Sequence, residues 1–318
     1  MTGPDRPMTR FRPARALAAL LLLVLALVAC RREPADLAAV PGDPVGAVQA
    51  QVKALRDNDL VRYSRLSLPP ELHARSEALW ARRQAEAEPV DPEDAREYAD
   101  MMARLTAPDA EKALMRDLEP KLAKFQAEAA GQWPLMQATA SIFLGAAIQA
   151  NTELSAAEKE HGAAVVEALL AWAQPELFTD RERARRAVAA LSRTARELEL
   201  PTLEQARALP MMPAMEKGGV ALAGLKEVAR AYDFDLDQSL DQATVELVSS
   251  EGDRAQVKVS YPLLGKPVAF EIEMQRVGDG WYSADAIEQT ETELAEAGPV
   301  PAEAAGVAAP APEAGNAG

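Results

Sequence analysis

The stretch Val268–Val277, VAFEIEMQRV, decides the fold class of this 318-residue chain. Apolar side chains occupy alternate positions in it, and Glu271, Glu273 and Gln275 fall between them. A period of two residues is typical of a β-strand with one buried and one solvated face. The stretch therefore predicts a sheet that is covered on one side only.

The neighbouring segments predict that this strand belongs to an antiparallel meander. Residues 244–249 and 256–261 alternate in the same way, and the turn residues Glu251-Gly252-Asp253 separate them. A second turn, Gly278-Asp279-Gly280, leads into the short apolar segment Trp281-Tyr282-Ser283. We expect a meander of three to four strands over residues 241–288, packed on helices.

Residues 44–240 show a helical period instead. Three potential capping boxes, each a Ser or Thr with an acid or amide three residues later, occur within fifty residues, at Ser155–Glu158, Thr179–Glu182 and Thr202–Gln205. Alanine is abundant and aromatic residues make up 5% of the chain, which favours closely packed helices. The predicted fold class is α+β, mostly an antiparallel helical array with the small C-terminal meander.

Residues 132–151 are an uncharged, apolar segment within this helical region. No charged residue lies between Glu128 and Glu153. A helix that is apolar on all sides is buried in a protein core or in a bilayer. Because Gln137, Gln149 and Asn151 would be costly in lipid, we expect the segment to lie in the core.

The first thirty residues have the pattern of an export signal. Arginines precede an apolar run of about fourteen residues, Ala16–Ala29, whereas a membrane-spanning helix needs about 20. The run ends in Leu27-Val28-Ala29-Cys30, which resembles the lipobox of bacterial lipoproteins. The resemblance implies cleavage between Ala29 and Cys30, with lipidation of Cys30 by diacylglycerol and fatty acyl chains such as palmitate. The alternative is an uncleaved membrane helix with a chance cysteine.

The residues around this cysteine predict a location in the cell envelope. By analogy with sorting in enterobacterial lipoproteins, Arg31 in place of Asp favours the outer membrane, on its periplasmic face. We expect residues 1–29 to be the signal peptide, 30–43 a lipidated tether, and 289–318 a disordered tail rich in Ala and Pro.

Charge and cysteine content exclude several classes of function. Removal of the leader takes four arginines and one aspartate from 34 basic and 49 acidic residues, so the mature chain has a formal charge of −18. Such a chain repels nucleic acid, and we expect no nucleic-acid partner. Cys30 is the only cysteine, so its lipidation leaves no thiol for disulfides, metals or catalysis.

The meander also resembles part of a known family. Together with the Gly278-Asp279-Gly280-Trp281 turn and the helical segment LRDNDLVRY at residues 55–63, it is similar to exported lipoproteins of nuclear-transport-factor-like shape. The resemblance implies a curved sheet with helices on its concave side, often around a pocket. It covers about a quarter of the chain, and no site residue is carried over from it.

No catalytic constellation, metal-ligand set or cofactor motif is evident in the sequence, so we expect no cofactor and no metal. Of the two histidines, His161 lies on an apolar helical stripe and is expected in the core, whereas His73 is expected at the surface. Alternate acids from Asp233 to Asp241 suit calcium, but Gln238 and Thr244 stand where a calcium loop requires Gly and Glu.

One basic concentration stands out in this acidic chain, on the helix predicted after Thr179. Its exposed arginines are either a solvated face paired with neighbouring acids or a docking patch for an acidic partner. The candidate partner-binding residues are Arg181, Arg185, Arg186 and Arg193.

These observations lead to a hypothesis of function and two alternatives. We expect a membrane-anchored periplasmic lipoprotein, non-enzymatic, that binds an envelope protein or has a structural role. The first alternative is a small-ligand or hydrolytic pocket between sheet and helices, which would use Asp233 or Asp285 and be lined by Phe270, Ile272 and Trp281. The second is a helical holdase for secreted proteins, which would require an exposed apolar patch.

Overall fold

The computed structural model describes residues 41–129, 131–152 and 154–298. The predicted signal peptide, Cys30, most of the tether and residues 299–318 lie outside the described residues. Within them, helices dominate and one four-stranded antiparallel sheet lies near the C-terminal end. The predicted mostly helical α+β class is confirmed.

Twelve helices of the described chain precede the sheet and one follows it. Before the sheet these are α1 Pro44–Arg56, α2 Leu60–Ser67, α3 Pro70–Ala85, α4 Pro92–Thr106, α5 Ala110–Ala129, α6 Trp133–Ala150, α7 Ala156–Trp172, α8 Pro175–Thr179, α9 Arg181–Leu198, α10 Leu203–Arg207, α11 Met211–Ala231 and α12 Leu236–Asp241. The sheet and final helix are β1 Thr244–Glu251, β2 Arg254–Leu263, β3 Lys266–Val277, β4 Gly280–Ser283 and α13 Ala284–Glu296.

The sheet is a meander in the order β1-β2-β3-β4, as the alternation predicted. One face is apolar and carries Val257, Met274 and Trp281, which pack against Ala47 and Val48 of α1 in a single cluster. Helix α7 covers a neighbouring part of that face, where Ala168 packs with Leu263 and Val268. The alternate residues of β2 and β3 are partly or fully exposed, and Lys258 and Glu271 are among the fully exposed ones.

Local capping chemistry explains where most helices begin. Asp43 and Asp91 accept hydrogen bonds from backbone N–H groups in the first turns of α1 and α4, and each precedes a Pro at the first helical position. The capping box predicted at Ser155 and Glu158 is confirmed. The box predicted at Thr179 is wrong by one residue, because Asp180 supplies the cap of α9.

Helices α9 and α11 pack closely through small residues. The buried side chains of α9 are all small: Ala184, Ala187, Ala190, Ser192, Thr194 and Ala195. Gly224 of α11 lies directly against Thr194, so a Cβ atom there would overlap its side chain. The larger Leu191 stays outside this contact and is 46% exposed, because the small residues form the contact instead.

The structure adds a short helix before the sheet and corrects one predicted boundary. Asp235 caps this helix, α12, by accepting a hydrogen bond from the backbone N–H of Gln238. The tail was expected from residue 289, whereas α13 continues to Glu296 because Ile287 and Leu294 are buried against Leu72 and Leu79 of α3.

Candidate functional site: the outer face of α6

Helix α6 is the uncharged segment that was expected in the core. None of its residues is buried, so that prediction is wrong. The helix packs on α7 along one side and leaves the other side to solvent. The apolar side chains of α6 are therefore not part of the buried core.

Polar and aromatic contacts hold the inner side of α6 in place. Trp133 Nε1 donates to the carbonyl of Ala173 at 3.0 Å, and Gln137 Nε2 donates to the carbonyls of Leu170 and Ala173 at 2.7 and 2.9 Å. These carbonyls belong to the C-terminal end of α7, where helical partners are lacking. Gln137, which argued against a bilayer in the sequence, thus satisfies the end of the adjacent helix.

The opposite side is what we call the outer face of α6, formed by Leu135, Met136, Ile142 and Phe143 together with the small residues Ala138, Thr139 and Ala146. Leu135, Ile142 and Phe143 are 69%, 72% and 71% exposed, and Met136 is 44% exposed. A spacing of seven and eight residues places Ile142 and Phe143 on the same side as Leu135. The result is a continuous apolar surface without charge.

No helix in the described part of the chain is long and apolar enough to span a membrane.

The acidic residues considered for calcium have cationic partners within the chain. Asp233 pairs with Arg183 at 2.5 Å, and Asp235 pairs with Arg230 at 3.2 Å. Asp237 contacts Lys226 at 2.7 Å, and Asp241 pairs with Arg56 at 2.7 Å. Among the described residues, no cluster of acids, histidines or cysteines has the arrangement of a metal site. These acids join α1, α9, α11 and α12.

Lys226 is a structural centre that the sequence pattern did not single out. Its side chain is 2% exposed, and Nζ donates to the carbonyls of Leu55 and Arg56 at 2.6 and 3.1 Å. Burial lowers the pKa of Lys226, although Asp237 opposes this shift. The ammonium group thus caps the end of α1 and joins it to α11 and α12.

His73 is buried, which corrects the expectation of a surface residue. It is 8% exposed, and its Nε2 shares a hydrogen bond of 2.8 Å with Ser64 Oγ, itself 6% exposed. Burial lowers the pKa of His73. Because both groups are enclosed by α2 and α3, the pair joins two helices rather than facing a substrate.

His161 is half-buried between α7 and the sheet, in agreement with its predicted core position. Its Nε2 lies 2.8 Å from Tyr261 Oη, and its ring centroid lies 4.6 Å from that of Phe270. Burial lowers the pKa of His161 and raises that of Tyr261 to about 12. The contacts of this cluster fasten α7 to β2 and β3.

The residues proposed to line a pocket pack against one another. Trp281 is 5% exposed, and Phe270 and Ile272 pack against the same cluster under α1. Asp285 is exposed at the start of α13, where desolvation, followed by repulsion from Glu158, raises its pKa. A shallow depression of about 280 Å³ lies elsewhere, between α4 and α5, and is lined by Ala103, Arg104, Ala107, Ala113 and Leu114.

The candidate arginines of α9 have partners within the chain. Arg181 pairs with Glu119 at 2.5 Å, Arg185 with Glu182 at 2.5 Å, and Arg193 with Glu227. Arg186 donates to the carbonyl of Ala231 at 3.3 Å. These contacts are those of a solvated face paired with neighbouring acids, so the outer face of α6 remains the surface with the stronger claim to an external contact.

No protein-family model, no curated protein and no solved structure matches this chain. The choice of candidate site therefore rests on the packing and charge of the residues described above.

Proposed function

We propose that this chain is a lipid-anchored protein of the bacterial envelope with a non-enzymatic, binding or structural role, and that the outer face of α6 is its principal contact surface. The observation that carries the binding role is the exposure of about 70% of Leu135, Ile142 and Phe143 on one uncharged helix. Contiguous apolar surface of this kind marks an interaction site in soluble proteins.

The energetic argument is that leaving these side chains in water is costly. Complete burial of one aliphatic or aromatic side chain contributes about 1.5–3 kcal/mol. A chain that needed α6 only as a structural support would gain solubility from charged residues at positions such as 142 and 143. The uncharged outer face is instead what an external contact requires.

The anchor and the address rest on the sequence of the leader. Leu27-Val28-Ala29-Cys30 supports lipidation of Cys30, and Arg31 supports the periplasmic face of the outer membrane. A single cysteine attaches a protein stably to a membrane when it carries more than one fatty acyl chain. We propose an envelope protein as the partner of this chain. The exposed guanidinium groups of Arg181 and Arg185 on α9 are a second candidate surface for binding it.

A ligand pocket between sheet and helices has less support. The residues expected to line it are packed under α1, Asp233 is paired with Arg183, and Asp285 lies outside that layer. The resemblance to nuclear-transport-factor-like lipoproteins remains a prediction of overall shape.

Lipidation is tested by comparing the full chain with Cys30→Ala in a Gram-negative host fed a clickable palmitate analogue. We expect the label on the full chain, with an N-terminus at Cys30 by mass spectrometry, and no label on the variant. An unlabelled chain that retains Met1 and stays in the membrane would instead identify an uncleaved helix and overturn the anchor.

The contact surface is tested by thiol accessibility, because acylation of Cys30 leaves an introduced cysteine as the only free thiol. Ile142→Cys and the control Leu225→Cys, 47% exposed on α11, are labelled with a membrane-impermeant maleimide. We expect position 142 to react at least fivefold more slowly than position 225 in intact envelopes, although Ile142 is the more exposed of the two in the structure, and the two positions to react at similar rates after unfolding in urea. Equal rates at positions 142 and 225 in envelopes would remove the outer face of α6 from the proposal.

A further inference from the structure

We propose that the outer face of α6 rests on the lipid surface to which Cys30 attaches the chain, with Ile142 and Phe143 among the acyl chains. This inference rests on the proposed lipidation of Cys30 and goes further by naming the occupant of the contact surface. It assigns lipid contact to a helix that lies along the bilayer rather than across it.

The chemistry of the face favours acyl chains. Lipid tails offer no hydrogen-bond partners, so a surface that inserts among them must carry no charge. All eighteen positions of α6 are uncharged. Gln137 is turned inward, where its amide is bonded to α7, whereas the exposed Gln149 lies at the C-terminal end of the helix, seven positions after Ile142. The mature chain has a formal charge of −18 and is repelled by anionic headgroups, whereas the uncharged α6 adds nothing to this repulsion.

The tether limits how far the folded body can move from the bilayer. Cys30 is eleven positions before Pro41, the first described residue, so the connection spans at most about 40 Å when fully extended. The chain then passes the turn between β3 and β4, because a Cβ atom on Gly42 would lie 3.9 Å from the carbonyl oxygen of Asp279. The anchored end of the chain therefore reaches the body at this end of the sheet.

The C-terminal part of α6 lies toward the same end. Ile148 packs against Gly162 in the N-terminal half of α7. The contacts of α7 give its direction along β3, because Ala168 packs with Val268, and the ring of His161, seven positions earlier, lies 4.6 Å from that of Phe270. The N-terminal half of α7 therefore points toward the C-terminal part of β3, which leads to the turn at Asp279. The C-terminal part of α6 thus lies toward the end of the sheet at which the tether arrives.

The anchor also determines how strong the contact must be. A tethered surface encounters the bilayer at high effective concentration, so weak intrinsic affinity is enough for continuous contact. The acyl chains on Cys30 supply the attachment itself, so the outer face of α6 determines how the folded body lies on the bilayer.

The test uses the full acylated chain reconstituted in vesicles of phosphatidylethanolamine and phosphatidylcholine. An environment-sensitive fluorophore (NBD) is attached at Ile142→Cys and, as the matched control, at Leu225→Cys. Quenching is measured with doxyl groups on the lipid tails and with iodide in the water. We expect lipid-tail quenching at position 142 to be at least fivefold greater than at position 225, and iodide quenching to show the reverse order.

Three results would overturn the inference, and they have different consequences for the proposed contact surface and the proposed anchor. Accessibility of position 142 to iodide without lipid-tail quenching excludes lipid contact. Protection of position 142 in cells without quenching in vesicles identifies a protein as the occupant, so the proposed contact surface stands and its lipid assignment fails. An unacylated Cys30 by mass spectrometry removes the proposed anchor, and the inference with it.

Discussion

Single buried polar side chains connect neighbouring helices of this protein through hydrogen bonds. Lys226 binds the C-terminal carbonyls of α1, and His73 binds Ser64 across α2 and α3. A buried polar group stabilises a fold only when it is paired, since an unpaired one retains its desolvation cost. Each of these hydrogen-bonded contacts therefore favours one arrangement of the helices that it connects.

The buried histidine predicts a pH-dependent stability. Burial lowers the pKa of His73 in the folded state below the ordinary value near 6.5, so the unfolded chain takes up a proton first as the pH falls. The stability associated with the neutral His73 is fully present above pH 6.5. It decreases as the pH falls from there toward the pKa of His73 in the folded state. We expect His73→Gln, which can still bond Ser64, to lose less stability between pH 7.5 and pH 5 in urea denaturation.

His161 provides the matched comparison for that measurement. Its pKa is also lowered by burial, so His161→Gln should likewise reduce the acid sensitivity, and the double variant should show the smallest loss. An identical loss of stability in the wild type and His73→Gln would show that His73 is not held neutral in the folded chain.

Small residues decide the arrangement of whole elements. Helices α9 and α11 approach closely because alanines line one helix and Gly224 lies on the other, against Thr194. Helix α6 follows the opposite principle, with large apolar side chains on the side that none of the described elements covers.

The glycine contact predicts opposite effects of one substitution at two sites. Gly224→Ala places a methyl group onto Thr194 and should destabilise the chain by about 1–3 kcal/mol through overpacking. Gly145→Ala, on α6 with no atom within 4 Å of the new Cβ, should stabilise by about 0.5–1 kcal/mol through helix propensity. Urea denaturation measures both, and a stabilising Gly224→Ala would show that α9 and α11 are not in close contact.

Stability is unevenly distributed over the whole molecule. The apolar face of β2 and β3 is enclosed by α1 and α7, whereas α6 has no buried residue and contacts mainly α7. Segments with few buried apolar contacts open at lower free energy than the core. Loss of α6 from the surface would leave the sheet core intact.

This uneven packing predicts the pattern of amide hydrogen exchange in the full chain. In envelope-derived vesicles, amides of α6 should exchange more slowly in the wild-type chain than in Phe143→Glu, because a charge on the outer face of α6 weakens its contact, whereas β2 and β3 should exchange equally in both chains. Mass spectrometry with peptic fragments resolves the segments. Equal exchange of α6 in the two chains would contradict an external contact on this helix.

Much of this architecture could be predicted because it depends on neighbouring residues. The alternation in Val268–Val277 and the capping box at Ser155 each act within a few positions, so the meander and the start of α7 were predicted correctly. The buried side of α9 depends on packing instead, because close contact buries its alanines and leaves the larger Leu191 46% exposed.

What the sequence alone determined was therefore the class of fold and the succession of helices and meander, whereas the lipidated leader remains a prediction. Tertiary structure decided which surfaces are covered. Burial of His73 and Lys226 depends on helices distant in the chain, and so does the exposure of Ile142. An apolar helix has the same local pattern whether a core or an external partner covers it, and only the positions of the other elements distinguish the two.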